Sequence, residues 1–140
     1  MTPQTFESYM DAASAKLNTA IDFLLSVTDY LLTNHKGTYL KFSGMATHST
    51  IECVILHGVL DGLPRHLRHI NAIEAAVSEL IMIEAVLDNC VSMAEDTRNE
   101  LSFKTSLALD DLTAAMKFVN SGLEKFPEHG FNDDDYGKHA

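Results

Sequence analysis

Four basic side chains fall within five positions at Arg65, His66, Arg68 and His69, and they are the densest cationic group in the chain. Pro64 precedes them at a position suited to the first turn of a helix, where free backbone N–H groups already favour negative charge. Two guanidinium and two imidazole groups added there would suit a small anionic ligand, such as phosphate or a nucleotide, or an acidic segment of a partner. For stability alone the placement is mildly unfavourable, because cations at a helix start oppose the helix dipole.

Carboxylates supply the second chemical theme. Glu7, Asp11, Asn18, Asp22 and Asp29 are spaced 4, 7, 4 and 7 residues apart. On a helix that spacing draws one stripe, well away from the apolar seam. The stripe is either a solvated back or a strip that meets a basic partner surface. Glu84 is different, since it falls inside an apolar series between Leu80 and Leu87. A carboxylate buried there costs several kcal/mol, on the order of a broken buried pair, unless it is partnered or protonated. It is expected to fix helix register through a buried pair, to face a groove or subunit boundary, or to handle a proton or ligand.

Other chemistry is thinly represented. The chain has seven His and two Cys, without a His-Glu-x-x-His, Glu-x-x-His or Cys-x-x-Cys arrangement, so no metal and no cofactor are expected. Cys53 and Cys90 lie in apolar surroundings and are expected to be reduced core thiols. There is no Gly-rich phosphate loop, nucleophile elbow or dinucleotide fingerprint, and an enzyme is not expected. Arg98-Asn99, with Leu101 behind it, resembles the opening of the arginine–polar–histidine signature of HEPN ribonucleases. Phe103 and Lys104 stand where that signature needs its histidine, so the resemblance implies at most a helical scaffold without the nuclease chemistry.

The elements that must position these groups are helices. Phe6, Met10, Ala13, Leu17, Ala20, Leu24, Val27 and Leu31 follow alternating steps of 4 and 3, which predicts a helix over about residues 4–35. Gly37 is its expected stop. A second series runs through His66, Ile70, Ile73, Val77, Leu80, Glu84, Leu87, Val91 and Ala94. A third follows a Thr97-x-x-Glu100 capping box through Leu101, Thr105, Ala108, Leu112, Ala115 and Val119, with Leu123 and Phe126 continuing it. Gly122 is a possible end for this helix, and Pro127 an obligatory one. Residues 38–63 are less regular. Tyr39–Phe42 is expected to be a connector, and Ile51–Leu60 a short helix despite its β-branched residues. The expected fold is all-α: an antiparallel bundle of three long helices plus one shorter helix over residues 1–126, with a flexible acidic tail at 127–140. Phe23, Leu25, Tyr30, Leu32, Ile83, Val86, Phe103, Leu107 and Phe118 lie off the seams, which favours a homodimer that covers them.

Charge narrows function. The 140 residues carry 20 acids against 10 bases, a formal charge of −10, which argues against sequence-independent nucleic-acid binding. Residues 64–96 hold six acids and two bases, whereas residues 97–126 balance at four and four. No apolar run is long enough for a membrane span and Met1–Met10 lacks a signal-peptide pattern, so a cytoplasmic protein is expected. The leading expectation is a non-enzymatic protein of inhibitor, antitoxin, immunity or phage counter-defence type. Its mode of action would be to cover a basic surface of a partner protein through Glu7, Asp11, Asp22 and Asp29. The alternative is an anionic-ligand binder built on Arg65–His69.

Overall fold

A computed structural model describes residues 4–42, 51 and 63–130. They form an all-α bundle of α1 (Phe6–Asn34), α2 (Lys36–Phe42), α3 (Arg65–Asn89) and α4 (Glu95–Lys125), followed by a 3₁₀ turn at Pro127–His129. Thr5 caps α1: its hydroxyl accepts from Ser8 N at 3.0 Å, while Thr5 N donates to Ser8 Oγ at 2.9 Å. At 1.5 Å per residue α1 is roughly 44 Å long. α4 packs most extensively on α1 and runs antiparallel to it, with Gly122 against Tyr9 and Met10 and Lys16 near Asp111. α3 runs parallel to α1, since Arg65 meets Glu7 and Cys90 meets His35.

Two of the three expected seams form as written. Every member of the α1 series is buried except the half-buried Phe6, and Leu101, Thr105, Ala108, Leu112, Ala115 and Val119 of α4 are all buried. The α3 series is displaced by one residue. Its innermost positions are Ala72, Ala76, Glu79, Ile83, Val86 and Cys90, again in steps of 4 and 3. Ile73, Leu80 and Leu87 share the edge of this face, but Val91 is 95% exposed and Glu84 is exposed. Glu84 is therefore not a buried polar residue; Glu79 is. Two adjacent seams 100° apart both satisfy the spacing, and the buried face centres on the one with the smaller side chains. Ile83 and Val86 lie in the core, which removes them from the residues that called for a second copy.

The ends also differ from expectation. Gly37 does not stop α1; the break falls at His35, with φ −140° and ψ 40°, and α2 starts at the next residue. Tyr39–Phe42 is helical, and Tyr39 is fully buried against Ile51 and the α3 core. α4 begins at Glu95, before Thr97, with Ala94 at the cap and no side-chain capping bond. It also runs through Gly122, where a Cβ would sit 2.9 Å from Tyr9 Cβ, so the missing side chain lets α1 and α4 approach closely. Pro127–His129 forms the 3₁₀ turn, in which His129 stacks on Phe6 with ring centroids 4.1 Å apart. The expected helix at residues 51–60, apart from Ile51, and the tail at residues 131–140 lie outside the described residues, as does Cys53.

Candidate functional site

The basic group at the start of α3 is placed by parallel packing of α3 on α1, which brings the first turns of both helices side by side. Arg65 turns onto α1, donating to Glu7 Oε1, to Asp11 Oδ1 at 2.8 Å and to Ser14 Oγ at 3.0 Å. His69 Nε2 lies 2.9 Å from the same Ser14 hydroxyl. His66 is buried with its Nε2 unpartnered, edge-on to Phe6, whose other contacts are Phe126 and His129. Two separate sequence candidates, the acidic stripe and the basic cluster, thus meet at one end of the bundle. The anion that Arg65 holds is the chain's own pair of carboxylates.

The surroundings alter the imidazoles. Burial lowers the pKa of His66 below the ordinary value of 6.5, and nearby His129 lowers it further. His69 is lowered first by burial and then by Arg65, Arg68 and His66, while a hydrogen bond with the Met10 backbone pulls the other way. Both therefore favour the neutral form, in which an imidazole attracts an anion less strongly than the charged form would. The ion pairs of Arg65 with Glu7 and Asp11 are solvent-facing on the carboxylate side, so each is worth only about 0–1 kcal/mol.

Half of the acidic stripe is consumed in this way. Asp22 and Asp29 lie on the exposed back of α1, away from Arg65, and further exposed carboxylates lie on α3 at Glu74, Glu84 and Asp88 and on α4 at Asp110. Glu84, the sharpest sequence candidate, belongs to this outer set. Its buried counterpart Glu79 accepts a hydrogen bond from Tyr39 Oη, joining α2 to α3 in the core. A signal for this pair existed, because Glu79 lies on an equally regular series with Ala72, Ala76 and Ile83. Its partner is 40 residues away, which no spacing rule reaches.

A further polar contact forms at the opposite end. Cys90 Sγ lies 3.1 Å from His35 Nδ1 and 3.7 Å from Ser92 Oγ, and Arg98 donates to the Cys90 carbonyl. The thiol is 1% exposed, so the contact ties the α1–α2 break to the α3–α4 loop and offers no open face for a substrate. Arg98 is thereby engaged within the fold. Among the described residues no three His, Cys, Asp or Glu side chains converge as a metal site, and no helix is long and apolar enough to cross a membrane. No protein-family model, no curated protein and no solved structure matches the chain.

Proposed function

We propose that the protein works by binding another protein, covering a basic functional surface with its acidic helical exterior and thereby inhibiting or regulating it, without catalysing a reaction. One observation supports this above the rest: several cations are engaged at the surface by the chain's own carboxylates or rings, while a set of carboxylates is exposed on α1, α3 and α4. Arg65 is held by Glu7 and Asp11, Lys16 lies 3.9 Å from Asp111, Lys104 lies 3.8 Å from Glu100, and Lys125 lies over the Tyr9 ring. Asp22, Glu74, Glu84, Asp88 and Asp110 meanwhile face outward. A chain of formal charge −10 arranged like this attracts a basic surface from a distance and disfavours acidic ones. Inhibitors, antitoxins, immunity proteins and phage counter-defence factors act in this manner, in the cytoplasm, where Cys90 remains a free thiol.

The test is capture of the partner from the source cells, followed by binding measurements with the purified pair. Replacing Asp22 and Asp29 by Asn together with Glu84→Gln and Asp88→Asn is expected to weaken binding, and salt is expected to weaken it as well. A partner held equally by the neutralised protein, and equally from low salt to about 0.3 M, would refute the reading.

A further inference from the structure

An open groove of about 330 Å³ runs between α3 and α4, lined by Ile73, Val77, Leu109, Leu112, Met116 and Lys117. Ile73 and Leu112 belong to the core, and Val77 and Met116 pack against it half-buried, so the groove carries the core out to the surface. Beside it Ile81 is 56% and Leu109 42% exposed. On α3 the series Glu74, Val77, Ile81, Glu84 and Asp88 follows steps of 3, 4, 3 and 4, forming one stripe with an apolar centre and carboxylates at its ends. Residues 70–97 contain no Lys or Arg, so that stretch of α3 presents carboxylates alone, and Lys117 on the α4 wall is the cation in the groove's lining.

We infer that this groove docks an amphipathic helix of the partner, with the helix's apolar edge in the groove and its flanking Lys or Arg residues on Glu74, Glu84 and Asp88. Dimensions agree with that occupant. The lining runs from Leu109 to Asn120, about 16 Å along α4, and from Ile73 to Val77, about 6 Å along α3. The α4 wall is thus about three helical turns long, enough for side chains at i, i+3 or i+4, and i+7 of a bound helix. Charge selects the partner. A second copy paired about a two-fold axis through the groove would lay the same acidic rim on itself, whereas a basic helix neutralises it. The inference rests on the protein-binding reading and gives it an address on α3 and α4 in place of α1.

The experiment measures fluorescence anisotropy of the full chain with a labelled peptide of about 18 residues, built from Leu and Lys in a helical amphipathic pattern. The controls are a scrambled peptide of the same composition and a Leu/Glu peptide of the same pattern. The Leu/Lys peptide is expected to bind, the scrambled one about tenfold more weakly, and the Leu/Glu one not at all. Ile81→Ser with Leu109→Ser is expected to weaken binding about tenfold with the Tm little changed, because both side chains are already exposed. Glu74→Gln with Glu84→Gln is expected to weaken it severalfold and to flatten its salt dependence. Equal binding to the groove variant overturns the inference, and so does a dimer in sedimentation that Ile81→Ser with Leu109→Ser dissociates. If Asp22→Asn with Asp29→Asn weakens binding and the groove variants do not, the groove proposal falls while the protein-binding reading stands. If the captured partner ignores both sets, both fall.

Discussion

Replacing Glu79 by Gln and replacing Glu84 by Gln are the same chemical change five residues apart on α3, yet the structure demands unequal outcomes. Glu79 is fully buried and accepts from the Tyr39 hydroxyl, itself fully buried, whereas Glu84 faces solvent. Tyr39→Phe keeps the ring, so no cavity opens; it removes only the donor. The loss leaves a carboxyl oxygen without that donor where water does not replace it, a cost of about 1–3 kcal/mol. At a urea m-value of roughly 2 kcal/mol/M, a loss of about 2 kcal/mol lowers the unfolding midpoint by about 1 M. Glu79→Gln should fall in the same range, while Glu84→Gln should stay within about 0.5 kcal/mol of wild type. The Tyr39→Phe/Glu79→Gln double variant should lose less than the sum of the singles, with a coupling of roughly 1 kcal/mol. Urea titration followed by circular dichroism measures all four proteins. Equal costs at positions 79 and 84, or strict additivity of the two core changes, would refute the assignment of Glu79 as the register-fixing carboxylate.

Four further outcomes follow from other contacts of the fold. Gly122→Ala should destabilise: the added Cβ meets Tyr9 Cβ at 2.9 Å and Met10 Cε at 3.2 Å, an overpacking cost of about 1–3 kcal/mol that exceeds the roughly 1 kcal/mol gained in helix propensity. Gly37→Ala, with nothing within 4 Å, should stabilise by about 0.4–1 kcal/mol; thermal melts of the two variants should shift in opposite directions. Because His66 and His69 titrate below 6.5 in the fold, the unfolded chain binds more protons as pH falls through and below that value. Stability is therefore full above 6.5 and declines on acidification, and a urea midpoint series from pH 7.5 to 5 should lose part of its slope in His66→Phe. Millimolar phosphate or nucleotide should leave the melting temperature unchanged, since Arg65 is already engaged by Glu7 and Asp11; a clear upward shift would restore the anion-binding alternative.

Local periodicity by itself determined the class of fold, the seams of the first and last long helices, and the acidic outer faces. Those features depend on neighbours three and four residues apart, and a sequence displays such neighbours directly. Helix phase in α3 was different, because its spacing fits two seams 100° apart, each containing one glutamate. Only the arrival of Tyr39 from α2 settled which carboxylate goes inside, since a buried Glu needs a donor and the donor lies on another helix. The pairing of Arg65 with Glu7 and Asp11 was likewise invisible along the chain. The sequence presented a basic cluster and an acidic stripe as two separate surfaces. Parallel packing of α1 and α3 brought their first turns together, so each answers part of the other's charge and the remaining acidity lies elsewhere on the bundle.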